Sequence, residues 1–115
     1  MSDYPQTYEK LRVAMKELGS HIPDVMTAFG QLHAAGASEG VLSSKVKELI
    51  ALGIAITVRC DGCIAFHVHD AIKAGATAEE ITEVIGVAIL MGGGPAMVYG
   101  CEALEALKQF EAVEA

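Results

Sequence analysis

Aromatic side chains are scarce: the 115 residues include no Trp, three Tyr and three Phe, 5% in all. Yet 52% of the chain is hydrophobic and the mean hydropathy is +0.39. The apolar content is therefore small and aliphatic, mostly Ala, Val, Ile and Leu, which suits helix-on-helix packing. Disorder is excluded, because disordered chains are poor in such residues. Basic residues are also few. Eight Lys and Arg stand against fifteen Asp and Glu, a net charge of −7, and that balance repels polyphosphate. No nucleic-acid partner is expected. The three cysteines are too few, and odd in number, for a secreted disulfide framework. The start, Met1-Ser2-Asp3-Tyr4-Pro5, lacks the basic and apolar regions of a signal peptide, so a cytoplasmic location is the expectation.

The length fits one domain, residues 1–115, with enough chain to bury a core without metal or disulfide staples. The apolar surplus further suggests a buried subunit interface. One stretch raises the question of a membrane: Val84 to Cys101 carries no charged residue over 18 positions. Gly92-Gly93-Gly94-Pro95 sits in its middle and no basic cluster flanks it. In lipid such a break would leave backbone groups unpaired. The stretch reads as two buried helical pieces joined by a glycine turn, and no membrane partner is expected.

Punctuation along the chain predicts six helices. The first runs from about Pro5 to Leu18, with Leu11, Met15 and Leu18 at helical spacing and Gly19 as its stop. Pro23 suits the first turn of the second, which carries Val25, Met26, Phe29, Leu32 and His33 and ends at Gly36. Ser43 or Ser44 caps the third, whose apolar stripe is Val46, Leu49, Ile50 and Gly53. The fourth starts at the cysteine pair and stops at Gly75. Thr77 and Glu80 form a capping box for the fifth, with Ile81, Val84, Ile85 and Ala88, and Pro95 opens the sixth, which reaches about Phe110. Ile54 to Val58 is β-branched enough for a strand, and strand, Cys-x-x-Cys, helix is the thioredoxin order. No other segment supplies a sheet, so the expected class is all-α.

The informative run is Glu48, eleven intervening residues, then Cys60-Asp61-Gly62-Cys63-Ile64-Ala65-Phe66-His67. Two cysteines three apart at a helix start lie close enough for a disulfide. The first-turn amides and the helix dipole stabilise a thiolate there, a nucleophile at neutral pH. His67, four residues after Cys63, lies one turn along the same face. Its imidazole can remove the thiol proton and return a proton to a leaving group. Glu48 is the only acid between Gly40 and Asp61 and lies among Val46, Leu49 and Ile50. If the third and fourth helices run antiparallel, its carboxylate can face His67 and orient the imidazole.

A zinc site would need four ligands, and the second cysteine pair is missing, so no metal is expected. Cys101 reads as a small buried apolar residue, and His21, His33 and His69 as structural or exposed. Asp70, Glu79, Glu80 and Glu83 read as solvated helix face. The glycine turn lacks the Lys-Ser/Thr ending of a phosphate loop, and no motif for an organic cofactor is present.

With these residues in view, the chain resembles the carboxymuconolactone decarboxylase family, and within it the alkyl hydroperoxidase D-like branch. The resemblance spans about Leu42 to Phe110 and rests on Glu48, its spacing to Cys60, the Cys60-x-x-Cys63 pair and His67. It includes the turn Ala74-Gly75-Ala76-Thr77-x-x-Glu80-Ile81. It implies an all-helical fold assembling into trimers or hexamers. It implies further that the two cysteines cycle between dithiol and disulfide, that a Glu-His pair relays protons, and that the substrate is a hydroperoxide or a disulfide. Cys63 would be the thiolate activated by His67 and Glu48, and Cys60 its disulfide partner. An external dithiol or protein reductant, for which a peroxiredoxin is one candidate, would restore the pair. Well-known members often carry a His immediately before the second Cys, where this chain has Gly62. Two other classes remain as alternatives. One is a non-redox lyase using His67 as base, as in the decarboxylases proper, which lack the cysteine pair. The other is a non-catalytic oligomeric protein whose Cys-x-x-Cys holds a metal.

Overall fold

The helices begin and end where the chain supplies caps. The computed structural model describes residues 1–114, and among these there is no strand. Helix α1 (Tyr4–His21) opens on Asp3, whose Oδ1 accepts from the Gln6 N–H at 3.0 Å. Helix α2 (Pro23–Ala37) has Pro23 in its first turn, and α3 (Ser44–Thr57) takes Ser43 as its cap, which accepts from the Val46 N–H at 3.1 Å. Helix α4 (Asp61–Lys73) is capped by Cys60. It ends in a Schellman turn: Gly75 sits at φ +96°, and the Gly75 and Ala76 N–H groups donate to the carbonyls of Ile72 and Ala71. The capping box before α5 (Ala78–Glu114) is reciprocal: the Glu80 N–H donates to Thr77 Oγ1 and the Thr77 N–H to Glu80 Oε1.

The count is five helices where six were expected, because the last two run on as one 37-residue stretch. Its backbone leaves helical angles at Gly93, whose φ of 68° and ψ of −148° mark a kink between two helical pieces. The stretch nevertheless folds back on itself. A Cβ at Gly100 would lie 2.7 Å from Ile85 Cγ2, two positions that a straight helix would hold about 22 Å apart. By length and composition α5 would pass as a membrane span. The limb over residues 78–92 is only about 22 Å long, against roughly 30 Å of hydrocarbon. The limb beyond the bend carries Glu102, Glu105, Lys108 and Glu111. Neither limb can cross alone.

The core lies where α3, α4 and α5 meet, with Tyr4 of α1 inserted at one end. Leu52, Ile56, Ile64, Val68 and Ile81 are fully buried. The β-branched run Ile54–Thr57 is helical because Leu52, Ala55 and Ile56, at helical spacing, all face this core, and burial outweighs intrinsic propensity. Several apolar positions of the expected helices stay outside it. Met15 and Leu18 of α1, Val25, Phe29 and Leu32 of α2, and Ile50 of α3 are exposed, and α2 buries no residue at all. Their spacing is helical as expected, but a single chain offers nothing to cover that face. Cys101, expected to be buried, is exposed as well.

The Gly93 conformation belongs to a region open essentially to glycine, so Gly93→Ala is expected to lower stability by about 1–3 kcal/mol in equilibrium urea unfolding. Gly86, exposed inside a regular helix with nothing within 4 Å of an added Cβ, provides the contrast. Gly86→Ala is expected to leave stability unchanged or raise it by up to about 1 kcal/mol.

Candidate active site

The site begins at the turn between α3 and α4. Helix α3 ends in a Schellman motif: the Arg59 N–H donates to the Ile56 carbonyl at 3.2 Å and the Cys60 N–H to the Ala55 carbonyl at 3.1 Å. The left-handed position of this motif is held by Arg59, at φ 61°, rather than by glycine. Cys60 thus closes α3 and in the next peptide opens α4, where its Sγ accepts from the Cys63 N–H at 3.2 Å. Cys60 and Cys63 are joined by a disulfide, with Cα atoms 5.2 Å apart, and both are half-buried. Each sulfur therefore sits in the first turn of α4, where unpaired N–H groups and the helix dipole favour negative charge once the bond is reduced.

His67 follows one turn later. Its Nδ1 lies 2.8 Å from Glu48 Oε2, across the α3–α4 interface. Glu48 is only 7% exposed. A carboxylate only accepts, so Nδ1–H is the donor and Nε2 remains the free basic nitrogen. The four residues singled out in the sequence are thus brought to one place: the disulfide, and a Glu–His pair on the same pair of helices.

A cavity of about 550 Å³ opens over the disulfide and His67, with Glu48 behind its lining. Tyr8, Leu11, Met15, Phe29 and Phe66 form its apolar wall, and Cys60, Cys63, His67, His33 and Asp70 its polar part. His33 and Asp70 were expected to be structural or solvated, and both face this cavity. His33 offers a ligand atom that lies within 4.8 Å of a carboxylate oxygen of both Glu48 and Asp70. Phe29 and His33 share one face of α2 by their spacing. What that face meets is decided by packing between distant helices, which no local pattern shows. His69 stacks its ring on Tyr8 at 4.0 Å, and its Nδ1 pairs with Asp70 Oδ1 at 2.9 Å.

The cysteine turn is braced from behind by Tyr4. The buried Tyr4 hydroxyl donates to Glu102 Oε2 at 2.6 Å and lies 3.3 Å from Oδ1 of Asp61, the residue between Cys60 and Gly62. Burial, then the hydrogen bond to Glu102 and the nearby Asp61 charge, push the Tyr4 phenol well above its usual 10.0.

An all-helical chain with a Cys-x-x-Cys helix start and a buried Glu–His pair beside it defines a class, and comparison with known proteins names it. Residues 23–106 match the model of the carboxymuconolactone decarboxylase family. The chain belongs to that family. An uncharacterized protein of Cupriavidus necator is 41% identical over 98 residues, covering 85% of this chain and 84% of its own. One of Haemophilus influenzae is 38% identical over 105 residues, 91% of this chain and 93% of its own. Among solved structures, the apo form of a carboxymuconolactone decarboxylase family protein from Legionella pneumophila superposes with a TM-score of 0.91 at 39% identity, covering 95% of this chain and 98% of that one. A family member from Thermotoga maritima, whose description raises the possibility of a role in antioxidative response, gives a TM-score of 0.84 at 29% identity over 93% and 92%.

Because the fold favours the neutral Tyr4 phenol, its contribution is complete below pH 10 and lost as pH rises beyond it. Tyr4→Phe removes a buried hydrogen bond to a charged group, an expected loss of about 1–3 kcal/mol at pH 7. In urea unfolding across an alkaline pH series, the gap between wild type and Tyr4→Phe is expected to narrow above pH 10.

Proposed function

We propose that this protein is a thiol–disulfide oxidoreductase of the alkyl hydroperoxidase D-like kind, reducing hydroperoxides with the Cys60/Cys63 dithiol. The observation that carries the reading is the Glu48–His67 pair, 2.8 Å apart, beside the Cys60–Cys63 disulfide on an apolar-walled cavity. A decarboxylase base needs no adjacent cysteine pair, whereas dithiol chemistry uses every one of these groups.

In the reduced enzyme His67 Nε2 takes the Cys63 proton, and the resulting imidazolium is held by Glu48. The thiolate sulfur attacks one peroxide oxygen and the O–O bond breaks. The leaving alkoxide takes the imidazolium proton and departs as an alcohol, leaving Cys63 as a sulfenic acid. Cys60, as thiolate, attacks that sulfur and its S–OH bond breaks. The hydroxide takes up a proton as water, and the Cys60–Cys63 disulfide remains. The dithiol loses two electrons and the peroxide gains them. An external dithiol or a protein reductant, such as a peroxiredoxin-type partner, reduces the disulfide for the next turnover. The half-buried cysteines are open enough for such exchange. The reading places this chemistry in the reducing cytoplasm.

Assembly into a homotrimer or homohexamer is part of the same proposal. A second cavity of about 560 Å³, lined almost wholly by aliphatic groups such as Val46, Ile50, Val84 and Val87, lies between α3 and α5 and holds no group suited to chemistry. Such a surface is better explained by a subunit contact than by a substrate.

Mass spectrometry of reduced protein after one equivalent of an organic hydroperoxide is expected to show loss of two hydrogens, mapped to Cys60–Cys63. Cys60→Ser and Cys63→Ser should each abolish turnover, and His67→Ala should lower it by about 10²–10⁴-fold. Full turnover with both thiols alkylated would overturn the redox reading in favour of the lyase. For the assembly, Ile50→Asp is expected to shift the mass in analytical ultracentrifugation from trimer or hexamer towards monomer. A monomeric wild type would refute it.

A further inference from the structure

We propose that His33, Glu48 and Asp70 form a binding site for a divalent first-row metal ion on the wall of the active-site cavity. The three residues come from three helices, α2, α3 and α4, and each offers one ligand atom, all within 4.8 Å of one another. One imidazole and two carboxylates make a borderline-hard donor set that suits Mn2+, Fe2+, Co2+ or Zn2+. Two carboxylates this close repel one another, and a dication between them replaces that repulsion with attraction.

The carboxylates are also held as metal-binding carboxylates are held. Glu48 is buried and hydrogen-bonded at Oε2 by His67, and Asp70 at Oδ1 by His69, whose ring is itself fixed against Tyr8. Such outer partners fix the direction of the ligands and leave carboxylate lone pairs free. Donors about 2.1 Å from one ion stand at most about 4.2 Å apart, so atoms already within 4.8 Å of one another need a contraction of no more than about 0.6 Å. The residue free to supply it is His33, exposed on the one helix that buries no residue. Three protein ligands leave the remaining positions open towards the cavity. Resting on the dithiol reading, a consequence follows for regulation: an ion on the free lone pairs of Glu48 draws carboxylate charge away from His67, weakens its hold on the imidazolium and slows the thiol reaction.

The test uses Co2+ on the full chain with the Cys60–Cys63 disulfide intact and the exposed Cys101 replaced by Ser, so that no thiol competes. Calorimetry and visible absorption are expected to show saturable binding of one equivalent, with d–d bands and no sulfur-to-cobalt charge transfer. His33→Ala, a change at an exposed residue, and Asp70→Asn should each weaken binding at least about tenfold. No saturable binding at millimolar Co2+, or binding undiminished in both variants, would overturn the site. In a separate assay, Co2+ should slow hydroperoxide reduction by wild type and not by His33→Ala. Equal slowing of both, or none, would refute the regulatory consequence. Absence of any hydroperoxide reduction would count against the dithiol function, while the Co2+ titration would still decide the metal site.

Discussion

Burying the carboxylate of Glu48 sets the terms for the rest of the site. An unpaired charge at 7% exposure would cost several kcal/mol, so the helix packed against α3 must present a partner there. That partner is His67, and the requirement fixes the rotation of α4 about its axis. Cys63 lies one turn before His67 and Cys60 three residues before Cys63, so the same rotation decides where both sulfurs point. Ile64, Ala65, Val68 and Ala71 occupy the adjoining, buried face. One charge pairing and one apolar stripe together hold the disulfide at the cavity, and the tautomer that the pairing selects leaves His67 Nε2 free for proton transfer.

The α3–α4 turn adds the second constraint. Cys60 must satisfy the end of one helix with its N–H and the start of the next with its sulfur, which leaves it almost no freedom. Arg59 holds the left-handed position that glycine usually fills, at a steric cost on the order of 1–2 kcal/mol. Tyr4, reaching Asp61 from the far end of the chain's fold, braces the same turn. On the proposed dithiol reading, a cycle that makes and breaks a bond across three residues would benefit from a backbone that does not shift between the two states.

Much of this was legible in the sequence because it is local. The spacing from Cys63 to His67, the Thr77–Glu80 box, Pro23 and the stop at Gly75 each report on one turn of helix, and each appears at its expected place. Glu48 opposite His67 required one assumption, that α3 and α4 run antiparallel, which a short turn favours. Contacts between distant helices were not legible. His33 reads as structural or exposed and Asp70 as solvated helix face, because only the packing of α2 on α1 and α3 brings both to one cavity, and Tyr4 looks like any residue near a terminus. The glycine run was recognised as a junction, but whether hydrogen bonding continues on either side of Gly93 depends on backbone angles that the sequence does not state.

If the protein assembles as proposed, the uncovered apolar faces would tie that assembly to the chemistry. Helix α2 buries nothing within the chain, yet its Phe29 and His33 form one wall of the active-site cavity. Its Val25 and Leu32 are exposed at 62% and 67%, apolar area that water disfavours and a neighbouring subunit would cover. Whatever covers Val25 and Leu32 also holds Phe29 and His33, since all four ride on one short helix. The shape of the cavity over Cys60 and Cys63 is therefore fixed only when α2 is held. In the proposed assembly the subunit contact and the cavity wall would lie along one face of the same helix. On that proposal, the high aliphatic content, which exceeds what the core of one chain uses, would serve to complete the site as well as to fold the chain.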